Sequence, residues 1–177
     1  HRGQLHRDLL DLPRRRDRMM AEIHLQGSLF GSPQTEATND DWYTPKWVFD
    51  TMNIRFDIDV AAPPGGIQWI PADRHFTIED DGLNQEWSGR VWMNPPFSKM
   101  TPWAMRFLEH RNGVALVPLT HNRWSQAVWR SDCAMVSLPH DLKFMKGGKP
   151  MGIQFPALLI AFGDESVEAI SRIGKVR

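Results

Sequence analysis

Val91-Trp92-Met93-Asn94-Pro95-Pro96-Phe97 runs three apolar residues straight into an asparagine and a pair of prolines. Consecutive apolar residues without polar alternation read as a short buried strand. The second proline fixes φ and biases the residue before it to an extended form, so the strand ends in a rigid turn that presents Asn94 and Phe97.

Outward from this turn the pattern is strand and helix in alternation. Downstream, Thr101-Pro102 reads as an N-cap with proline at the first helical position, Trp103, Phe107 and Leu108 share one helical face, and Gly113 reads as the stop. Val114 to Val117 is a buried strand, Trp124 to Arg130 a short helix and Ala134 to Leu138 a strand. Phe155 to Phe162 is a final strand and Glu165 to Ile173 a closing helix. Upstream, Thr44-Pro45 is a second cap-and-proline start with Trp47, Val48 and Met52 behind it. Phe56, Ile58 and Val60 then alternate with Asp57 and Asp59 as a strand, followed by the loop Ala61 to Gly66 and a short strand over Ile67 to Ile70. Such alternation predicts an α/β fold with a mostly parallel sheet and helices on both faces. Ligands bind beyond the carboxyl ends of strands in sheets of this kind, where both Asp59-Val60-Ala61-Ala62 and Asn94 to Phe97 fall.

The Asn-Pro-Pro-Phe turn suits one chemical problem. An exocyclic aromatic amine is a poor nucleophile because its lone pair is delocalised into the ring. The Asn94 side-chain oxygen and the Pro95 carbonyl can both accept hydrogen bonds from such an amine and turn its lone pair toward an incoming methyl group. Pro96 holds the loop, and Phe97 can stack on the base. Positioning and electrostatics would then carry most of the rate enhancement. A proline pair after a strand also serves as a plain rigid turn, so the chemistry rests on what surrounds it.

The 177 residues fit one domain, with 41% hydrophobic and 24% charged residues. Residues 1 to 40, with Arg14-Arg15-Arg16-Asp17-Arg18, read as a flexible basic leader, and 41 to 177 as a single domain. The longest apolar run, Pro156 to Phe162, is far short of a bilayer span. The single cysteine, Cys133, excludes an internal disulfide and a thiolate-rich zinc site, and a reducing, cytoplasmic setting fits. His75, His110, His121 and His140 lack metal-ligand spacing, so no metal is expected. The net charge of zero hides an asymmetry: residues 36 to 98 carry −7, residues 99 to 177 carry +5. That excludes a uniformly basic nucleic-acid binder but leaves a basic half as a DNA face. Arg123, Trp124, Arg130, Lys143, Lys146 and Lys149 lie in that half, with Lys146-Gly147-Gly148-Lys149 read as a mobile basic loop. Trp124 and Phe97 are the rings expected around a base taken out of the helix.

The ordered set closely resembles the phage-type DNA N6-adenine methyltransferase family. It comprises Asp41-Trp42-Tyr43-Thr44-Pro45, Asp57 to Ala62, Asp81-Gly82-Leu83 with Trp87-Ser88-Gly89, Val91 to Phe97 and Trp103. It continues through Leu116-Val117-Pro118, Arg123-Trp124, Leu142-Lys143-Phe144 and Phe155-Pro156-Ala157. The resemblance implies a Rossmann-like methyltransferase fold, S-adenosylmethionine as cofactor, DNA as partner, and a phage or prophage origin. It implies that Asn94, Pro95, Pro96 and Phe97 form the catalytic motif. It further implies that Tyr43, Thr44 and Pro45 touch the methionine part of the cofactor, that Asp59 and Ala61 belong to the first cofactor motif, and that Asp81 contacts its adenine. A sulfonium cofactor is cationic, which suits the acidic first half.

Two departures stand out. The adjacent glycines of Ala61 to Gly66 replace the usual spaced glycine pattern. Only 35 residues separate Asp59 from Asn94, so a trimmed fold with fewer helices is expected. Asp73 is open to two readings, a cofactor ribose contact or a surface aspartate. Two other functions compete: a methyltransferase acting on another planar amine or amide, in an RNA base or a protein glutamine, and a non-catalytic nucleic-acid-binding module of prophage origin.

Overall fold

The segment Gly113–Pro118 is apolar from end to end and buried at every position, which only the middle of a sheet covered on both faces can accommodate. The computed structural model of the protein describes residues 42–153 and 155–177. In chain order the elements are α1 (Lys46–Met52), β1 (Phe56–Asp59), β2 (Ala72–His75), β3 (Val91–Met93), α2 (Met100–His110), β4 (Gly113–Pro118) and α3 (Arg123–Arg130). There follow β5 (Ala134–Ser137), β6 (Lys143–Lys146), β7 (Lys149–Gly152), β8 (Ala157–Phe162) and α4 (Asp164–Ser171). The six-stranded sheet has the order β2-β1-β3-β4-β8-β5, and β6 and β7 form a separate hairpin. Strands β2, β1, β3 and β4 run parallel, whereas β8 lies antiparallel between β4 and β5.

Helices cover both faces, as the alternation predicts. Trp92, Val114, Leu116 and Leu159 point to the side closed by α1 and α4. Val91, Met93, Val117 and Ile160 point to the side closed by α2 and α3. The fold is trimmed where the short interval requires it: between β1 and β3 the chain makes only the edge strand β2 and turns.

Strand β1 departs from simple alternation. The N–H groups of Asp57 and Ile58 both reach the Arg90 carbonyl, at 2.7 and 3.5 Å, a bulge that turns Phe56 and Ile58 to opposite faces. Beyond the bulge Asp59 is in register with Trp92, whose ring meets Phe49 of α1 at 4.7 Å. Asp59 is thereby brought to the α1 side of the sheet and buried.

Several local expectations are corrected. Thr44 does not cap α1: Pro45 occupies the N-cap position without a side-chain bond, and the Thr44 hydroxyl is buried instead. Thr101 likewise lies inside α2, which starts at Met100. That helix is stopped by Arg111 in the left-handed region (φ 57°), while Gly113 opens β4. At Gly113 a Cβ would overlap the Val91 backbone, so only glycine lets the two strands meet there. Residues 67 to 70 form a turn, closed by Ile70 N–H donating to the Ile67 carbonyl, and the strand comes just after it. Lys146-Gly147-Gly148-Lys149, expected as a loop, is the two-residue turn of the β6–β7 hairpin, with Gly147 and Gly148 at φ 55° and 74° as a type I′ turn demands. The leader expected over residues 1 to 40 lies outside the described residues.

Candidate active site at the carboxyl ends of the strands

From β1 the chain passes outward to β2 and returns to β3 on the other side of β1. The order therefore reverses between β1 and β3, and open α/β sheets bind ligands at such a reversal. Asp59 is the last residue of β1, and Asn94 follows the last residue of β3. The two sequence motifs flank that point.

The Asn94 side-chain Nδ2 donates to the Trp42 carbonyl at 2.7 Å. Only the amide nitrogen can donate to a carbonyl, so this bond settles which way the amide points. Its Oδ1 is left as an acceptor without a hydrogen-bond partner among the described residues. Pro95 is buried, and Pro96 holds φ −53° at the head of a 3-10 turn, Phe97–Lys99, closed by Lys99 N–H donating to the Pro96 carbonyl. The Phe97 ring is half-buried and stands edge-on to Phe155, 5.5 Å between centroids.

Asp59 is only 4% exposed. Burial pushes its carboxyl up to about 7, partly opposed by the Ala61 N–H that donates to Oδ1 at 3.2 Å. No cation partners this carboxylate among the described residues, although a buried anion without one is costly. Thr44 carries a second unmet demand: its Oγ1 is buried with no hydrogen-bond partner among the described residues, while its carbonyl accepts from Trp69 Nε1 at 2.9 Å. Pro45 beside it is buried, and Tyr43 is half-buried. A buried carboxyl at the end of β1 and a spare hydroxyl on the segment leading into α1 are groups that a ligand carrying positive charge and hydrogen-bonding groups would satisfy.

Asp81 reaches the same end of the sheet through its neighbour. A Cβ on Gly82 would overlap the Val60 carbonyl oxygen, and Trp87 Nε1 donates to the Gly82 carbonyl at 2.7 Å, so the Asp81-Gly82 loop lies directly on the exit of β1. Asp81 itself is exposed, in the left-handed region (φ 54°), and accepts from Asn84 Nδ2 at 2.6 Å. Asp73 is ion-paired with Arg55 and sits two residues short of the end of β2, which favours the surface-aspartate reading. His75 is the β2 residue level with Asp59. No cluster of three metal-ligating residues occurs among the described residues.

The basic residues divide. Trp124 is 3% exposed and belongs to one core cluster with Met100 and Phe107 of α2, so it is a core residue whose ring is not exposed as a stacking platform. The phase of α3 turns Trp124 and Val128 inward and leaves Arg123 and Arg130 in solvent. Lys143, Lys146 and Lys149 all lie on the β6–β7 hairpin. Tyr43 and Met145 exchange two backbone hydrogen bonds of 2.9 Å, the Lys146 ammonium lies 4.6 Å from the Trp42 ring centroid, and Phe144 meets that ring edge-on. Residues 42 and 43 thus hold Asn94 on one side and the lysine hairpin on the other, a proximity that sequence spacing did not reveal.

A mostly parallel sheet with antiparallel β8 inserted beside its last strand, and an Asn-Pro-Pro-Phe turn at the switch point, define a methyltransferase-like α/β protein. The family model described as DNA N-6-adenine-methyltransferase (Dam) matches residues 31–143, and the chain belongs to that family. No curated protein matches it. Membership selects adenine N6 in DNA among the amines the motif alone leaves open. No helix among the described residues is long and apolar enough to cross a membrane.

Proposed function

We propose that the protein is a site-specific DNA adenine-N6 methyltransferase that uses S-adenosylmethionine and draws its target base out of the helix into the crevice around Asn94 to Phe97. The observation that carries this reading is the Asn94 amide, oriented by the Trp42 carbonyl so that Oδ1 is available as an acceptor.

Asn94 Oδ1 and the Pro95 carbonyl accept the two hydrogens of the N6 amine, so its lone pair is drawn away from the ring and aimed out of its plane. Phe97, held by Phe155, stacks on the extruded base and offsets part of the cost of unstacking it. Pro96 keeps the turn from relaxing, so the geometry is set before substrate arrives. Asp59, with Ala61 on its carboxylate, and the segment Tyr43-Thr44-Pro45 hold the methionine part of the cofactor, and Asp81 its adenine. S-adenosylmethionine, when bound, supplies an electrophilic methyl group. The positive charge of that ligand is what the buried Asp59 lacks. Arg123, Lys143, Lys146 and Lys149 contact DNA phosphates, which makes binding salt-sensitive.

The test is expression in a host lacking adenine methylation, followed by digestion of its DNA and mass-spectrometric measurement of N6-methyladenine. Modified adenine with the wild-type chain and none with Asn94→Ala is the expected result. No modified adenine from a folded, soluble chain would overturn the proposal.

A further inference from the structure

Between β2 and β3 the segment 77–90 contains turns and no helix, so its shape depends on where it is anchored. One face of α2 supplies the anchor. Trp103, Arg106 and His110 stand there at i, i+3 and i+7, and all three meet Trp87. The Trp103 ring stacks on it with centroids 6.2 Å apart, the Arg106 guanidinium lies 4.9 Å from its centroid, and the His110 ring stands edge-on at 5.7 Å. Trp87 is buried, and its Nε1 donates to the Gly82 carbonyl at 2.7 Å. The same three α2 side chains reach the backbone on either side of it. Arg106 Nη2 donates to the Gln85 carbonyl, and His110 Nε2 donates to the Gly89 carbonyl at 2.9 Å. A Cβ on Gly82 would come within 3.2 Å of the Trp103 ring.

We propose that Trp103 and Arg106 are positioning residues: acting through Trp87, they set the Asp81-Gly82 loop against the Asn94 turn. This rests on the methyltransferase reading above, in which Asp81 holds the cofactor's adenine, and deepens it. Helix α2 starts at Met100, directly after the Phe97–Lys99 turn. The helix that carries the methylating turn at its amino end therefore also carries the clamp on the cofactor loop. Asp81 is exposed and left-handed, so its place is set by the residues that follow it in the loop, and these are the ones α2 grips. A shift of Trp103 would move the cofactor loop relative to the turn that presents the target amine, and small misplacements of this kind are costly.

The experiment measures calorimetric affinity for S-adenosylhomocysteine with the full chain and with Asp81→Ala, Trp103→Leu and the double variant. Trp103→Leu should weaken binding about tenfold. The double variant should lose no more than Asp81→Ala alone, because both changes break one contact. Trp103→Phe keeps a ring on Trp87 and should restore most of the affinity. If Trp103→Leu does not fold, Arg106→Leu, at a half-buried position, completes the same cycle. A merely structural role lowers the melting temperature and adds its loss to that of Asp81→Ala. Additive losses, no loss in Asp81→Ala, or unchanged affinity in a folded Trp103 or Arg106 variant would overturn the inference while leaving the methyltransferase reading intact. A wild-type chain that does not bind S-adenosylhomocysteine would overturn that reading together with it.

Discussion

Asn94 Nδ2 and the Trp42 carbonyl oxygen lie 2.7 Å apart, so a backbone group 52 residues upstream fixes the orientation of the proposed catalytic amide. Removing the amide with Asn94→Ala should lower methylation by about 10²–10³-fold while the fold survives. Asn94→Asp sets a carboxylate oxygen against that carbonyl and should cost about 1–3 kcal/mol of stability as well. Product yield by mass spectrometry and urea unfolding separate the two effects. Full activity in Asn94→Ala would remove this residue from the chemistry.

Thr44 offers a clean separation of folding from binding. Its Oγ1 is buried and unpartnered among the described residues, so Thr44→Val removes a polar atom that makes no hydrogen bond to them. Stability should hold or rise by about 1 kcal/mol, whereas affinity for S-adenosylhomocysteine should fall, as read by calorimetry. Unchanged affinity would mean that the hydroxyl does not face the cofactor.

Asp59 links both properties to pH. Its folded carboxyl titrates at about 7, above its unfolded value of 3.8, because burial disfavours the charge. Between those values the native state retains a proton that the unfolded chain has lost, so stability falls as pH rises through this window and levels off above it. Asp59→Asn should therefore be more stable than wild type at pH 8, with the difference vanishing near pH 4 in denaturant melts. Cofactor affinity should show the opposite trend, rising as pH increases from 6 to 8 and the carboxylate ionises, and Asp59→Asn should lose that dependence. A flat wild-type binding profile would count against Asp59 as the partner of the positive charge.

Adjacent residues of α3 should behave differently. Trp124→Ala removes a buried ring from the α2–α3 side of the core and should cost about 3–5 kcal/mol. Arg123→Ala, at an exposed position, should leave thermal unfolding nearly unchanged and reduce the slope of log affinity against log salt by about 1. Equal destabilisation by both substitutions would contradict the burial pattern.

The parts of the fold legible in the sequence were those driven by burial. Val91 to Met93 and Val114 to Val117 could be read from apolar content alone, and the Asn94 turn from its prolines. Strand β2 was not legible, because Ala72–His75 is an edge strand whose pairing is made by backbone and whose side chains are mostly exposed. The Gly147-Gly148 pair carries a hairpin signal, but Lys143-Phe144-Met145-Lys146 and Lys149-Pro150-Met151-Gly152 lack the period-two apolar stripe that would confirm it. Thr44 and Thr101 fit the capping pattern by residue type, yet the actual helix starts, one residue after Pro45 and one before Thr101, follow from tertiary packing rather than local preference. Arg123 and Trp124 read together as a DNA-contacting pair, yet the roughly 100° step between successive helical residues leaves Arg123 exposed and buries Trp124. The convergence of the lysine hairpin on Asn94 runs through Trp42 and Tyr43, which meet Phe144, Met145 and Lys146, long-range contacts that local sequence does not encode.

The place of β8 has a consequence for how the protein is made. It inserts between β4 and β5, both of which leave the ribosome before it. Until residues 157 to 162 emerge, β4 and β5 each have a free edge and no partner across the gap, so the nascent sheet exists as two unjoined pieces. Such edges are templates for pairing with other chains, and non-local strand pairing is slow. Closure of the sheet therefore waits for the sixth strand, and until it emerges the edges of β4 and β5 that it will cover stay open to pairing with other chains.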